Sequence, residues 1–399
     1  MRGVPKVVWV VATARFFSSA SSFLMLFLTL YLTGPRGLSV PAAGLIAGGY
    51  GVGMLVGHFT GGRWGDRFGH RRVLLACSTV VGVGTASVPW LPTAVLAVDL
   101  PVVAYLFATM SVSSGALLAL AVDRGDRRTA VALGRTALNA GFVVGPPLGA
   151  LLLTYGYDVL FVVDGVTALL IRQIVGRVLP REPAREPAPT AGQGLWATVR
   201  SDRSLMTLLP AVVLVDIVYR QVYSTLPLHL RDSGQPVALY TSLIALGSGL
   251  ILLLEIPVTV RLRGLSSYPI IAAGYALVGV GFAVFALPVS VGSAVLAMVV
   301  LTAGEILYKT TATAHVLDAA PDHLVGQYQG LYSGAATSGT MLSAPIGGAV
   351  YAVAPGLLWP LCLVACLVAA GVVLASGRVA AGRLAGSGSD PVTATEVDV

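Results

Sequence analysis

The chain has 399 residues, of which 56% are hydrophobic and 11% are charged, and its formal net charge is +7. A soluble domain has about 25% charged residues, so this composition cannot cover a water-facing surface and excludes an ordinary soluble protein. The positive charge does not indicate a partner nucleic acid, because the basic residues are spread over alternate connecting segments rather than gathered in one patch.

Twelve apolar stretches are long enough to cross a membrane as helices, which takes about 20 mostly apolar residues. They are separated by charge clusters and by Gly and Pro residues, and we number them as spans one to twelve. The predicted ranges are 7–33, 41–62, 72–91, 94–121, 129–155, 157–177, 205–230, 236–260, 267–287, 290–316, 324–353 and 356–377. The sequence therefore predicts an all-α integral membrane protein surrounded by lipid.

The connecting segments differ strongly in charge. If the spans alternate in direction, eighteen of the 25 Lys and Arg residues lie on one side of the membrane and two, Arg36 and Arg231, lie on the other. Because positive segments are retained in the cytoplasm, we expect a multi-pass protein of the cell membrane with both termini in the cytoplasm.

The twelve spans divide into two groups of six that resemble each other at an offset near 199 residues. Residues 145–150 in span five (GPPLGA) align with residues 343–348 in span eleven (SAPIGG), and the arginine-rich turn after span two aligns with residues 260–267 after span eight. The predicted domains are an N-terminal six-helix bundle at 1–177, a proline-rich cytoplasmic linker at 178–204, a C-terminal six-helix bundle at 205–378 and a disordered cytoplasmic tail at 379–399.

Residues 62–72 read GRWGDRFGHRR and place four arginines and one aspartate between spans two and three. The pattern resembles the loop between the second and third helices of the major facilitator superfamily, and the resemblance extends over about residues 5–378. It implies twelve helices in two pseudo-symmetric bundles that rock about a substrate site between them.

The same resemblance implies a role for this loop. In the family the aspartate, here Asp66, faces the cytoplasmic start of span eleven and latches the two halves together, and we expect Arg67 and Arg71 to support it. Gly62 and Gly69 are expected to permit a tight turn and a close approach of helices.

Gly141, Gly145, Pro146 and Gly149 in span five resemble the antiporter motif that is typical of exporters in this family. Glycine lets helices touch and proline bends them, so the motif suits a seam between moving halves. With the QYQGLY stretch of span eleven, it resembles the drug:proton antiporter (multidrug efflux) branch. The arginine that the family usually has in span four is missing, and Tyr105 lies near its place.

Acidic residues inside membrane spans are costly and are functional candidates by default. Asp216 and Arg220 in span seven, and Glu305 and Lys309 in span ten, are four residues apart, a spacing that lets each acid pair with its base. One hypothesis is that Glu305 or Asp216 carries the coupling proton, and the other is that both pairs only fix helix packing. Glu255 in span eight is expected to pair with Arg261 or Arg263.

Several polar and aromatic residues in the spans are candidates for lining a substrate cavity. They are Arg15, Phe17, Ser21, Tyr105, Tyr219, Tyr223 and Tyr308.

The resemblance implies a secondary active transporter that exports a small amphipathic molecule against an inward flow of protons. We expect a monomer that is not an enzyme and that needs no cofactor or metal. Proton-coupled uptake of a sugar, organic acid or peptide on the same fold stays open, as does a receptor without transport. An enzyme acting on a lipid-linked substrate would need a catalytic cluster at a membrane face, and the Asp66 loop has no nucleophile or metal set.

Overall fold

The computed structural model describes residues 4–179 and 203–387, and within these ranges the chain is helical and contains no β-strand. The spans comprise Lys6–Ala20 with Phe23–Thr33 (one), Val40–Phe68 (two), His70–Ser87 (three), Thr93–Leu120 (four), Arg127–Leu153 (five), Tyr157–Val178 (six), Arg203–Tyr219 with Gln221–Ser224 and Leu226–Asp232 (seven), Val237–Arg261 (eight), Ser267–Ala283 (nine), Val291–Ala319 (ten), Val325–Val353 (eleven) and Pro355–Ser387 (twelve).

Eleven of these spans are long and apolar enough by themselves to cross a membrane. Span eleven is also long, at 29 residues, but its many Gly, Ser, Thr and Gln residues lower its hydropathy. It packs between spans two and seven, so these residues face protein rather than lipid. The twelve-helix architecture predicted from the sequence is confirmed.

The two halves repeat the same packing scheme. In the N-terminal half, span one packs on span five, span two on span four and span three on span six, and the corresponding pairs seven–eleven, eight–ten and nine–twelve pack in the C-terminal half. The halves meet along spans two and eleven and along spans five and eight, which is again a symmetric pair of contacts. The seam between the halves is therefore built from repeated elements.

Two spans that were predicted to be continuous are interrupted. Span one breaks at Ser21 and Ser22, and span seven breaks after Tyr219 and again at Thr225. Hydropathy does not show such breaks, because serine, threonine and tyrosine are all tolerated within a membrane helix. Each break frees backbone groups that need other partners.

Two predicted boundaries also change. Residues 62–68 are helical rather than part of a turn, and the turn is confined to Gly69, whose φ of 91° suits glycine. The helix of span twelve continues to Ser387, beyond its predicted end at residue 377. The predicted linker, apart from its ends, and residues 388–399 lie outside the described residues.

Candidate functional site

Three buried charged side chains from both halves meet inside the bundle. Arg135 of span five donates from Nη2 to Glu305 Oε1 at 2.7 Å and from Nη1 to Glu255 Oε1 at 2.9 Å. Glu255 is fully buried and Glu305 is 7% exposed. Because span five belongs to the N-terminal half and spans eight and ten to the C-terminal half, these three residues, which we call the Arg135 trio, bridge the seam. A buried charge is costly unless it is paired, so the trio holds the two halves in one relative position.

Hydroxyl groups and a lysine complete the surroundings of the two acids. Tyr219 of span seven donates to the second oxygen of Glu305, and Thr310 donates to Glu255. The Lys309 ammonium lies 3.4 Å from Glu305 Oε1 and 4.2 Å from the centre of the Tyr219 ring. The expected contact between Glu305 and Lys309 is therefore present.

The predicted pair between Asp216 and Arg220 is not formed. Asp216 of span seven instead lies 3.9 Å from Lys309 of span ten. The Arg220 guanidinium stacks on the ring of Tyr223, 5.8 Å from its centre, and its buried Nε has no hydrogen-bond partner among the described residues. The four-residue spacing permits a pair within one helix. Here, however, Asp216 contacts Lys309 of span ten and Arg220 contacts the Tyr223 ring.

The prediction for Glu255 was also wrong. Its partner is Arg135, whereas Arg263 pairs with Asp126 at the end of the bundle. Sequence reasoning missed Arg135 as a site residue, because its partners are 120 and 170 residues away in the chain. The signal available was its position, an arginine eight residues inside a membrane span, which by itself marks a functional candidate.

The tyrosine candidates divide into two kinds. Tyr219 and Tyr223 lie one helical turn apart with ring centres 6.4 Å apart, and Tyr223 is 50% exposed. Since its ring lies against that of Tyr219, which donates to Glu305, Tyr223 is an accessible tyrosine beside the trio. Tyr308 is fully buried against Tyr275, so it is a packing residue beside the trio.

At one end of the seam, Asp66 joins the two halves. Its carboxylate accepts the main-chain N–H groups of Gly326 at 2.9 Å and Gln327 at 2.8 Å. These groups belong to the first turn of span eleven, where the helix dipole favours a negative charge. The backbones touch here, because a Cβ on Gly62 would lie 2.0 Å from the Gly326 carbonyl oxygen. This is the position that the family resemblance implies for the aspartate.

The two arginines expected to support Asp66 have other contacts. Arg71 donates to the carbonyl oxygens of Gly176 and Leu179 at the end of span six, and Arg67 stacks on Phe68. The basic side chain that lies beside Asp66 within the described ranges is His70, whose Nε2 is 3.3 Å from the carboxylate.

Further contacts join the halves at this end. Arg127 donates to the Leu317 carbonyl oxygen at 2.5 Å, and Arg128 donates to Leu262 and to Ser267. Among the described residues, the polar contacts between the halves lie at this end, around the trio, or between His58 and Thr337. The seam is closed at the Asp66 end.

The glycines of the antiporter-type helix do not face the seam. A Cβ on Gly141 would lie 2.4 Å from the Phe16 carbonyl oxygen, and Gly145 and Gly149 also face span one. They bring spans one and five together within the N-terminal half, and Pro146 lies inside an unbroken helix. The seam is formed by the face of span five that carries Arg135.

The remaining cavity candidates are dispersed over the N-terminal half. Arg15 donates to Ser114 at 2.8 Å, and Tyr105 accepts from Thr60 at 3.1 Å. Phe17 is 47% exposed and lines a groove between spans one and six. Ser21 lines a separate cavity inside the bundle, together with Asp164. These four residues do not gather around the Arg135 trio.

Comparison with known proteins decides the family, because the model of the Major Facilitator Superfamily matches residues 10–344. The chain belongs to this superfamily. It is 25% identical over 361 residues to the uncharacterized MFS-type transporter YqjV of Bacillus subtilis (strain 168), with 87% of each chain covered. It is 24% identical over 375 residues to the Na(+), Li(+), K(+)/H(+) antiporter of Planococcus maritimus, covering 83% of this chain and 86% of the antiporter.

The fold also matches solved members of the superfamily. The crystal structure of the human organic anion transporter MFSD10 (TETRAN) superposes with a TM-score of 0.77 at 16% identity, covering 94% of this chain and 100% of that chain. The chain is thus a multi-pass membrane protein of a transporter family, and members of this family move small molecules rather than catalyse reactions. The drug:proton antiporter branch stays a prediction.

Proposed function

We propose that the chain is a secondary active transporter that exports a small amphipathic compound in exchange for protons. The observation that carries this proposal is the Arg135 trio, in which one base of the N-terminal half is held by two acids of the C-terminal half. Alternating access requires the two halves to rock about a central site. A buried ion pair across their seam must rearrange during that motion, and a proton is the ligand that most directly changes it.

The proton step centres on Glu305. Protonation removes its charge and with it the ion pairs to Arg135 and Lys309, so Glu255 is then the acid that still pairs with Arg135 across the seam. Asp216, which shares Lys309, is the second candidate. A substrate whose polar group donates a hydrogen bond to Glu305, or neutralises it, competes with the proton. Such competition at one carboxylate is what couples the two flows in opposite directions.

The orientation of the chain supports a conformation that is closed toward the cytoplasm. Positive segments favour placing the Asp66 end in the cytoplasm, and the contacts of Asp66 and Arg127 then close the seam on that side. In this conformation the space beside Tyr223 is shielded from the cytoplasm. The Planococcus maritimus relative is named an antiporter that exchanges cations against protons, which supports exchange with protons on this scaffold.

The proposal is tested in two steps. Wild type, Glu305→Gln and Asp158→Asn are expressed in an efflux-deficient host and challenged with a panel of amphipathic compounds. Asp158 is an exposed acid at the start of span six and serves as the matched control. We expect wild type and Asp158→Asn to protect against the same compounds and Glu305→Gln to protect against none.

The second step uses the compound with the strongest protection. Added to inverted membrane vesicles with an acidified interior, it should evoke proton release with wild type and Asp158→Asn, and none with Glu305→Gln. Accumulation of the compound by intact cells, or proton release that Glu305→Gln leaves undiminished, would overturn the proposal.

A further inference from the structure

A small cavity lies inside the N-terminal half and is lined by residues of that half. It is bounded by spans one, two, three, four and six. Its oxygen-bearing side chains are those of Ser18, Ser21, Ser22, Tyr50, Thr85 and Asp164, and its remaining wall is apolar. Met25, which also lines it, is 58% exposed, so the cavity is not sealed from its surroundings.

Asp164 is the charged group of this cavity, and it has no basic partner within the part of the chain that the structure describes. Among the described residues, Glu255, Glu305 and Asp216 each have a Lys or Arg nitrogen within 4.0 Å, whereas no Lys, Arg or His lies that close to Asp164. A carboxylate inside a membrane bundle is costly without an opposite charge. This acid therefore needs either a proton or a cation.

The break in span one lies directly at this acid. Asp164 Oδ2 accepts the main-chain N–H of Leu24 at 3.0 Å, at the start of the second helical segment. The first segment ends at Ala20, and a helix C-terminus carries a partial negative charge that favours a cation. Unwound backbone between two half-helices is a recurrent place for coordinated Na⁺ in membrane transporters.

The dimensions and chemistry of the cavity restrict what it can hold. Its volume is about 30 Å³, which suits one or two water-sized species and excludes an organic substrate. All of its polar groups present oxygen, and hard cations prefer oxygen ligands. A single carboxylate balances one positive charge, so a monovalent cation fits better than a divalent one.

We propose that this cavity is a binding site for one Na⁺ ion. Asp164 supplies the charge, and the hydroxyl groups of Ser21, Ser22 and Thr85 supply neutral oxygen ligands. The bound ion joins span six to both segments of span one and so stabilises the N-terminal bundle. The site is independent of the Arg135 trio and does not rest on the proposed proton exchange.

The test measures thermal unfolding of the purified full-length protein in detergent, with NaCl replaced by N-methylglucamine chloride at constant ionic strength. A ligand that binds the folded state raises the unfolding midpoint in a saturable way. We expect Na⁺ to raise the midpoint of wild type and of Asp99→Asn, and to leave Asp164→Asn unchanged. Asp99 is the matched control, because it is another acid within a span that has no base within 4.0 Å among the described residues. An equal response of Asp164→Asn, or no response of wild type, would overturn the proposal.

Two further variants keep the test decisive. Ser21→Ala retains the carboxylate, and its apparent Kd for Na⁺ should rise by roughly tenfold or more; an unchanged Kd would contradict the assignment. Glu305→Gln should keep the full response to Na⁺ even where it abolishes transport. The failure of the proton-exchange proposal can thus be distinguished from the failure of this one.

Discussion

Asp66 and Gln327 join the two halves, with the carboxylate of Asp66 accepting the main-chain N–H of Gln327 at 2.8 Å. The internal repeat places Leu265 and Arg128 at the corresponding positions, each 199 residues away. Arg128 in turn donates to the Leu265 carbonyl oxygen at 3.4 Å. The loop after span two therefore contacts the start of span eleven, and the loop after span eight contacts the start of span five. The positions correspond, but the first contact uses a carboxylate and the second uses a guanidinium group.

We expect Asp66→Asn to weaken the closed end of the seam. The amide side chain keeps one acceptor oxygen but loses the charge, and loss of a charged hydrogen bond costs about 1–3 kcal/mol, which is a factor of roughly 5 to 150 in an equilibrium. A cysteine at Gln329, which is buried beside Gly115 of span four, should be alkylated faster by about that factor. The three native cysteines are buried and give a low background.

Asp322→Asn is the matched control for this prediction. Asp322 also faces arginines of the other half, but its side chain is 73% exposed, whereas that of Asp66 is 6% exposed. Exposed ion pairs contribute little, so alkylation at Gln329→Cys should stay near the wild-type rate. If Asp66→Asn and Asp322→Asn accelerate alkylation equally, the effect comes from the loss of a negative charge at this end and not from the specific hydrogen bonds of Asp66.

Arg135→Gln should destabilise the protein more than the double variant Arg135→Gln/Glu255→Gln. The single change leaves the fully buried Glu255 without its base, and breaking a buried pair in this way costs about 3–5 kcal/mol. Neutralising Glu255 as well removes the uncompensated charge. Thermal unfolding in detergent compares the stability of the single and the double variant. A double variant that is less stable than the single one would contradict the paired geometry.

Gly141→Ala should lower stability by about 1–3 kcal/mol, the usual cost of overpacking. The added methyl group would lie 2.4 Å from the Phe16 carbonyl oxygen, so spans one and five must separate. Gly348→Ala in span eleven is the matched control, because nothing lies within 4 Å of its Cβ position. If both variants unfold at the same temperature, the glycine face of span five is not the close contact described.

Tyr219→Phe should reduce transport of the protective compound by roughly 10- to 100-fold, the range expected for losing a hydrogen bond to a charged group. It removes the hydroxyl group that donates to Glu305. Tyr308→Phe should stay close to wild type, because the Tyr308 hydroxyl has no hydrogen-bond partner among the described residues. Transport assays in inverted vesicles compare the two, and a larger loss in Tyr308→Phe would contradict the role given to Tyr219.

The architecture was predictable because the bilayer dictates it. Apolar length and charge asymmetry are local properties, so the twelve spans and the two halves follow from hydropathy. The contact of Asp66 with the start of span eleven followed from the family resemblance, and that of Glu305 with Lys309 from helical periodicity. Both kinds of signal are present in a short stretch of sequence.

The site itself was less predictable, because its partners come from distant parts of the chain. Arg135 meets Glu255 and Glu305 through the docking of the two halves, and no local spacing encodes that docking. The breaks in spans one and seven were missed for a related reason. Residues such as Ser21 and Thr225 are accepted in a continuous membrane helix, and tertiary contacts decide whether the helix opens there.

We propose that the two halves move about the Arg135 trio and that protonation of Glu305 controls this motion. Pulsed electron paramagnetic resonance can measure the distance between a spin label at Arg63 in the N-terminal half and one at Asp322 in the C-terminal half. Both positions lie at the closed end of the seam, so this distance reports on its opening. We predict short and long distance populations whose ratio shifts with pH in wild type and is fixed in Glu305→Gln. A single distance that neither pH nor this substitution changes would contradict the account.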